Sequence, residues 1–212
     1  MDKVTKIITV LEEMFPKAKA ELDFSNNYQL LVAVILSAQT TDIAVNRVTP
    51  AFFAKYPTPE KLAKANPKDV ENIIKSIGLF RNKSRHLIAA AKLIETRFNG
   101  LIPNTRKDLE SLPGVGRKTA NVVLANAFGI PTLAVDTHVH RVSIRLGLVN
   151  KDDNVYKTEQ KLYKIFPQDK WIKLHHQLIF FGRYQCLAKK PKCGSCALFE
   201  ICVYEKKDKT SF

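Results

Sequence analysis

One stretch of the chain, residues 108–141, places a lysine and an aspartate beside a glycine turn. The sequence Pro-Gly-Val-Gly in this stretch separates two segments with apolar residues at helical spacing, which predicts a helix, a tight turn and a second helix. The amides of Gly114 and Gly116 precede the second helix, where unpaired N–H groups and the helix dipole favour an anion such as phosphate. Lys118 follows in the first turn of that helix, and Asp136 opens the next helical segment.

A lysine nucleophile and a carboxylate beside a bound phosphate would suit chemistry on the sugar of a nucleic acid. The same residues also have a purely structural interpretation. In that interpretation the glycine turn only reverses the chain, Lys118 is a solvated lysine, and Asp136 caps a helix. Local pattern alone leaves both interpretations open.

The charge of the chain points to a polyanionic partner. The 212 residues carry a formal net charge of +14, which indicates nucleic acid ahead of anionic lipid, with improved solubility as the alternative explanation. No apolar run reaches the length of a membrane span, and Glu12 and Glu13 argue against a signal peptide. We therefore expect a cytoplasmic monomer with no membrane contact, associated with the nucleoid if the source is bacterial.

The periodicity predicts an all-α protein, because strand-like alternation is almost absent. The main helices are expected at residues 3–15, 27–37, 42–56, 67–77, 82–98, 137–146, 154–166 and 169–184. Gly78 is the expected C-cap of the helix at 67–77, and Asp136 caps the one that begins at 137. Such elements have to position the chemistry of Lys118 and Asp136.

Four cysteines close the chain with the spacing C-x6-C-x2-C-x5-C, namely Cys186, Cys193, Cys196 and Cys202. A disulfide pair is not expected in a chain without an export signal. Structural zinc usually takes two short cysteine pairs, and here only one such pair is present. The looser spacing favours an iron–sulfur cluster with four thiolate ligands, although zinc stays open.

The segment between the first two cysteines, residues 187–192 or LAKKPK, is here called the lysine loop. It displays Lys189, Lys190 and Lys192 and is held at its two ends by Cys186 and Cys193. The loop is either a solvated run of charge or a contact to DNA phosphates.

Three separated motifs, LPGVGRKTANVV, VDTHVHR and the cysteine pattern, together resemble the endonuclease III family of the helix-hairpin-helix superfamily. The similarity spans nearly the full length and includes LSAQTTD and IGLFRNKS. It implies a two-lobed glycosylase fold. Residues 21–131 would form a six-helix barrel that contains the hairpin, and residues 1–20 and 132–212 would form a discontinuous domain that contains the cluster.

The resemblance also implies an activity and a set of site residues. The activity is removal of oxidised pyrimidines from duplex DNA, followed by cleavage of the abasic site. In this family the lysine matching Lys118 forms a Schiff base, and the carboxylate matching Asp136 is catalytic. The cysteines hold a [4Fe-4S] cluster. The residues expected at the DNA are Gln39, Leu79, Gly114, Val115, Gly116, His138 and the lysines of the lysine loop.

The residue chemistry agrees with these assignments. A damaged base must leave the stack before C1′ can be attacked, and the gap needs a filler. Gln39 can bond the orphaned base, and Leu79 is an apolar wedge, although without the resemblance a loop glutamine and a core leucine would be the simpler interpretation. A Schiff base on Lys118 acidifies C2′ and permits β-elimination. Asp136 either stabilises positive charge on the sugar or assists proton transfer.

Three other functions share part of this pattern. An adenine-specific glycosylase of the superfamily has the hairpin, the aspartate and the cluster but lacks the lysine. A pyrimidine-dimer glycosylase is harder to separate from the sequence. From a different class, a non-catalytic DNA-binding module with a cluster would need neither Lys118 nor Asp136.

Overall fold

The computed structural model describes residues 2–210, and every regular element within them is helical. The all-α prediction is therefore confirmed. The helices are α1 Lys3–Met14, α2 Asn27–Leu36, α3 Asp42–Lys55, α4 Pro59–Ala63, α5 Pro67–Ile74, α6 Phe80–Phe98, α7 Arg106–Glu110, α8 Arg117–Phe128, α9 Thr137–Arg145, α10 Val155–Ile165 and α11 Trp171–Phe180. A 3-10 turn, Gln168–Lys170, precedes α11, and a π-helical segment, Phe181–Gln185, continues it.

Contacts divide the chain into two compact units. One unit is continuous, Glu21–Ile130, and the other joins Met1–Ala20 to Pro131–Phe212. We call them the hairpin unit and the cysteine unit. Residues 1, 211 and 212, which the predicted division gives to the discontinuous domain, lie outside the described residues.

The hairpin unit is built around α2. Its sequence NYQLLVAVIL is apolar on nearly all sides, and every residue from Leu30 to Leu36 is buried. A helix that is apolar all round has to be surrounded, and α2 packs against α3, α6 and α8. The long helix α6 also covers α4 and α5. The start of α8, which carries Lys118, is thereby fixed to the core of this unit.

The chain between α5 and α6 departs from the sequence prediction. Helix α5 ends at Ile74, and its C-cap is Lys75 in the right-handed region, so the prediction of Gly78 as the C-cap was wrong. The left-handed residue lies at the other end of the turn, where Leu79 has φ 59° and immediately precedes α6. Glycine was expected to take the left-handed conformation because it does so without steric cost, yet here a leucine adopts it.

The cysteine unit has its own apolar core. Ile7 and Leu11 of α1 pack with residues of α9, α10 and α11, including Val139, Leu162 and Leu178. The N-terminal helix is also held by polar contacts, because Gln177 donates to Glu12 at 2.9 Å and Lys173 pairs with the same carboxylate. Helix α1 therefore folds with the C-terminal part of the chain, although the hairpin unit separates them in sequence.

The helix expected at residues 169–184 is divided into a 3-10 turn, α11 and the π-helical segment. The π-helical segment passes very close to α9, since a Cβ on Gly182 would lie 2.9 Å from the Cβ of His138. The Gly182 carbonyl accepts a bond from Arg141 at 2.8 Å. The π-helical segment, whose turns are wider than those of an α-helix, therefore coincides with this close approach and this bond to α9. No helix within residues 2–210 combines the length and apolar character needed to cross a membrane.

Candidate functional site

The helix-turn-helix expected around Gly114 is present as α7, a turn and α8. Thr105 caps α7 by accepting the Asp108 N–H at 3.2 Å. Arg106 on α7 donates to the buried Asn121 on α8 at 3.0 Å, which holds the two helices together. Val115 lies in the turn, where its side chain is buried and its N–H donates to the Leu112 carbonyl at 3.0 Å. The predicted contact of Val115 with DNA is thus restricted to its remaining backbone atoms.

The two glycines of the turn serve different needs. Gly114 has φ +83°, and a Cβ there would lie 2.9 Å from the Cβ of His86 on α6. Both the backbone conformation and the packing of this unit therefore require glycine at 114. Gly116 has φ −94°, and a Cβ there would meet nothing within 4 Å. The internal packing of the hairpin unit does not require glycine at 116, which leaves open space at the start of α8.

Helix α8 begins without a side-chain cap, because its N-cap residue is Gly116. In the same unit α6 also begins without a side-chain cap, whereas the N-caps of α2, α3, α4, α5 and α7 accept an N–H bond with a side chain. An uncapped start leaves backbone N–H groups for an external acceptor at the positive end of the helix dipole. Lys118 is exposed in the first turn of α8. The local geometry therefore matches an anion site with an accessible amine beside it.

The two predicted stack fillers belong to the same unit and share an unusual backbone. Gln39 has φ 54° and Leu79 has φ 59°, both in the left-handed region that non-glycine residues seldom adopt. Both side chains are exposed, Leu79 to 52%. An exposed leucine is not a core leucine, so the simpler interpretation of Leu79 is excluded. Both side chains are available to an external partner.

Asp136 caps α9 in the cysteine unit. Its Oδ1 accepts the Val139 N–H at 2.8 Å, as the sequence predicted. Residues 132–135, which lead into it, are all buried. Within this segment the Ala134 carbonyl bonds the His175 ring at 2.8 Å, and the Tyr163 hydroxyl accepts the Leu133 N–H at 3.3 Å. Asp136 is therefore held by bonds in the segment before it and in the helix after it, and it is only partly buried.

His138 lies in the first turn of α9, two residues after Asp136, and is half-buried. Its Nδ1 lies 3.3 Å from an Arg141 Nη2. Burial lowers the pKa of His138, with the Asp136 charge and a backbone hydrogen bond to Gly182 acting against that shift. A lowered pKa favours the neutral imidazole, which has one N–H donor and one acceptor nitrogen.

The four cysteines are free thiols, and all four line one cavity. Burial raises the pKa of the Cys196 thiol, and charge on the other three cysteines raises it further, which reflects how near they are. Several N–H groups are directed at the sulfur atoms. Arg145 lies 3.3 Å from Cys186 Sγ, and the Tyr204 N–H lies 3.5 Å from Cys202 Sγ.

This donor set fits a cluster held by four thiolates. N–H groups that bond sulfur stabilise thiolates and tune iron–sulfur clusters. Within residues 2–210, no three cysteine, histidine or acidic side chains are grouped as a site for a single metal ion. The case for a cluster therefore rests on the chemistry of the four sulfur atoms and the N–H groups near them.

The lysine loop is closed at its base by Gln185. The Gln185 carbonyl accepts the Lys192 N–H at 3.1 Å, and its amide donates to the Lys192 carbonyl at 2.6 Å. Lys189, Lys190 and Lys192 are all exposed. The loop therefore presents three lysines from a closed base, as the sequence predicted.

Arg145 is a residue that the sequence reasoning missed. It is 8% exposed, donates to the Leu187 carbonyl at 2.7 Å and to the Ala188 carbonyl at 3.1 Å, and lies over the Tyr204 ring at 4.1 Å. Its own carbonyl accepts the Val203 N–H at 2.9 Å. Arg145 of α9 therefore contacts the chain just after Cys186 and just after Cys202, at the two ends of the segment that carries the four cysteines. Gln185 was likewise not foreseen in its positioning contact, since a single glutamine carries no signal in the sequence. His175 makes a polar contact, as the sequence indicated, and its partner is the Ala134 carbonyl.

Comparison with known proteins shows the family of the chain. A family model described as the HhH-GPD superfamily base excision DNA repair protein matches residues 32–168. The chain is 48% identical over 198 residues to endonuclease III of Bacillus subtilis (strain 168), covering 93% of this chain and 90% of that one. It is 44% identical over 205 residues to endonuclease III of Escherichia coli (strain K12), covering 97% of each.

Solved structures are similar over nearly the whole chain. A non-covalent complex of endonuclease III with DNA matches with a TM-score of 0.92 at 46% identity over 96% of each chain. A trapped covalent intermediate of endonuclease III with DNA, described as an estranged-adenine complex, matches with the same values. A thermostable thymine-DNA glycosylase, 25% identical, has a TM-score of 0.87 and covers 97% of this chain and 98% of that one.

Proposed function

Because the chain belongs to the HhH-GPD superfamily of base excision DNA repair proteins, and within it to the endonuclease III family, we propose that Lys118 and Asp136 carry its chemistry. The protein is a DNA glycosylase that also cleaves abasic sites, and its partner is double-stranded DNA. The substrate we assign is an oxidised pyrimidine. The single observation that carries the residue assignment is an exposed lysine in the first turn of the uncapped helix α8.

Lys118 is the proposed nucleophile. Its amine, once deprotonated, attacks C1′ of the damaged nucleotide as the base leaves, and loss of the ring oxygen from C1′ gives an imine to Nζ. The imine withdraws electrons from C2′, whose proton is then removed. The C3′–O bond breaks with its electrons leaving on the 3′ phosphate, which completes β-elimination. Water finally hydrolyses the imine and regenerates Lys118.

Asp136 is the proposed carboxylate of the base-excision step. The Val139 N–H holds Oδ1 at 2.8 Å, so one edge of the carboxylate is committed to the helix and the other is left for substrate. A fixed negative charge stabilises a sugar that becomes cationic as the bond to the base breaks. Assistance in proton transfer is the alternative role proposed for Asp136.

The remaining predicted residues are assigned to DNA binding. The uncapped start of α8 binds a phosphate through backbone N–H groups, and Gly114, Val115 and Gly116 form the turn that presents this helix start to the DNA. Gln39 and Leu79 enter the stack where the damaged nucleotide leaves. His138 contacts the DNA beside Asp136, and the exposed Lys189, Lys190 and Lys192 contact phosphates.

Cys186, Cys193, Cys196 and Cys202 are proposed to hold a [4Fe-4S] cluster. When bound, the cluster would cross-link four points of the last part of the chain and so fix the lysine loop. Metal analysis of purified protein should find about four irons per chain and a yellow-brown colour. One zinc and no iron would overturn this assignment.

We also propose that the protein acts as a monomer in the cytoplasm.

Borohydride trapping on a duplex containing thymine glycol tests the assignment of Lys118. The unchanged protein should form a covalent complex, because reduction converts the imine into a stable amine. Lys118→Gln removes the amine, so trapping should vanish and strand cleavage should fall by several orders of magnitude. Binding to abasic duplex should persist because the uncapped helix start is retained.

Lys107→Gln is the matched control, since Lys107 is an exposed lysine on the neighbouring helix α7. It should trap like the unchanged protein. Covalent trapping by Lys118→Gln would show that another amine is the nucleophile.

A further inference from the structure

The hairpin unit contains a lysine buried almost completely. Lys83 on α6 is only 4% exposed, and its Nζ donates to the Thr40 hydroxyl at 2.7 Å. Among residues 2–210 its ammonium forms no ion pair with a carboxylate. Burial lowers the pKa of Lys83, as expected for an ammonium group removed from water. Such a residue costs stability, so its presence at this position calls for an explanation.

Lys83 joins two separate segments of the chain. Thr40 follows Gln39 directly, and its N–H donates to the Ser37 carbonyl at 3.1 Å in the turn after α2. At the other end, the Lys83 N–H donates to the Leu79 carbonyl at 3.0 Å in the first turn of α6. The side chain of Lys83 therefore bonds Thr40, the neighbour of Gln39, and its backbone N–H bonds Leu79, the other predicted stack filler.

A second contact brings the same segments together. A Cβ on Gly78 would lie 3.8 Å from the Gln39 carbonyl and 4.0 Å from the Thr40 hydroxyl. The residue before Leu79 therefore packs against the residue pair that carries Gln39. The two turns form one contact surface, and the Lys83–Thr40 bond lies beside it.

Both stack fillers have a backbone that needs outside support. Gln39 and Leu79 are left-handed at φ 54° and 59°, a conformation that costs free energy for a residue with a side chain. Such residues persist where surrounding contacts determine them. The Lys83–Thr40 bond is a side-chain contact between the turn that contains Gln39 and the helix that begins after Leu79. It therefore links the two left-handed residues.

We propose that Lys83 is a positioning residue that holds the Gln39 turn and the Leu79 turn as one preformed unit for insertion into DNA. The inference rests on the proposed function of Gln39 and Leu79 as stack fillers. With both turns fixed before DNA binds, the ordering cost is met on folding and not during base extrusion. Lys83 acts through these residues and does not itself contact the reacting atoms.

A lysine suits this role better than an apolar residue. Its long stem packs within the core while its charged end forms a strong bond with a neutral hydroxyl in a site of low dielectric. An apolar side chain of the same length would fill the space but would not hold Thr40. If Lys83 only filled space, an apolar replacement would leave activity unchanged.

The test compares Lys83→Met, which keeps the stem and removes the bond, with Thr40→Val, which keeps the shape of Thr40 and removes its hydroxyl. Excision of thymine glycol paired with adenine should fall roughly 10-fold in kcat for either variant, since misplaced groups lose catalytic power. Cleavage at a preformed abasic site should change less than about 2-fold, because no base pair has to be opened. Thermal unfolding of Lys83→Met should occur at an unchanged or higher temperature, because a buried charge is removed.

Three controls make the result specific. The double variant should lose no more than either single variant, because both remove the same bond. Thr40→Ser retains a hydroxyl and should restore most of the excision rate. Lys92→Met replaces an exposed lysine on the same helix and should behave like the unchanged protein.

Leu79→Ala separates failure of this inference from failure of the assignment on which it rests. If Leu79→Ala slows excision but leaves abasic-site cleavage intact while Lys83→Met affects neither, the fillers stand and the role of Lys83 is wrong. If Leu79→Ala slows both reactions equally, the filler assignment fails and the role of Lys83 falls with it. Additive losses in the double variant would likewise overturn the proposal.

Discussion

The two halves of the proposed chemistry are positioned by different means. On the side of Lys118, the Arg106–Asn121 bond joins the two helices, but the turn itself is set by backbone conformation, with a left-handed Gly114 and a helix start that no side chain caps. On the side of Asp136, position is set by side-chain hydrogen bonds. Asp136 bonds the Val139 N–H, and His175 bonds the carbonyl of Ala134 in the segment before it.

The difference follows from what each half has to bind. A phosphate is an anion that needs bare N–H groups, so a side-chain cap at the start of α8 would compete for the same donors. A carboxylate that acts on a sugar must instead keep one orientation, and hydrogen bonds provide that. We therefore expect substitutions near Lys118 to separate folding from binding, whereas substitutions at Asp136 combine a helix cap with catalysis.

The largest expected effect separates the two roles of Asp136. Asp136→Asn keeps an oxygen that can cap α9 and removes the negative charge, so stability should hardly change while base excision falls by roughly 10²-fold or more. Asp136→Ala should lose activity to the same extent and also about 1 kcal/mol of unfolding free energy. Single-turnover excision and thermal unfolding measure the two effects.

Some borohydride trapping by Asp136→Asn should survive on a preformed abasic site, because no base has to be expelled there. If Asp136→Asn excised bases at the normal rate, Asp136 would be only a helix cap, and the comparison between the two halves would fail.

A smaller effect distinguishes the two glycines beside Lys118. Gly116→Ala should unfold at the normal temperature, because a Cβ there meets nothing within 4 Å, yet bind abasic duplex roughly tenfold less tightly because the phosphate can no longer approach the helix start as closely. Gly114→Ala should instead lose more than about 1 kcal/mol of stability because of its positive φ and the contact with His86. Thermal unfolding and fluorescence anisotropy provide the two measurements. Equal stability losses in both variants would contradict the different roles assigned to them.

The smallest effect concerns the lysine loop. Combining Lys189→Ala with Lys190→Gly, chosen because Lys190 has φ 50°, should reduce the salt dependence of binding by about one unit of slope for each phosphate that the loop no longer neutralises. The control is Lys157→Ala with Lys164→Ala on α10, which removes the same charge from exposed positions. Equal slopes for the two double variants would mean that the lysine loop is only solvated.

Local features of the chain were predictable from the sequence. The glycine turn, the cap at Asp136 and the cysteine spacing each depend on neighbouring residues, and the all-helical class follows from hydrophobic periodicity. The error at Gly78 lies in the assumption that the glycine takes the left-handed conformation, because Leu79, the residue after it, takes that conformation instead. Local preference is only a weak guide where tertiary contacts decide the backbone.

The supporting contacts could not be predicted because they join distant parts of the chain. His175 bonds Ala134 across 41 residues, Arg145 bonds Leu187 across 42, and Lys83 bonds Thr40 across 43. A histidine, an arginine or a lysine looks the same in sequence whether it is solvated or holds a carbonyl in place. Only the folded chain shows which of them positions the chemistry.

The bare start of α8 has a consequence for how the enzyme reaches damage. Backbone N–H groups bond a phosphate without regard to the base attached to it, and every nucleotide offers the same phosphate. The phosphate site proposed at Gly116 would therefore be equally available at each step along undamaged DNA, and its contact would be released and remade as the protein slides or hops. Recognition of damage then depends on the base itself, because a damaged base is extruded from the helix more easily than a normal one.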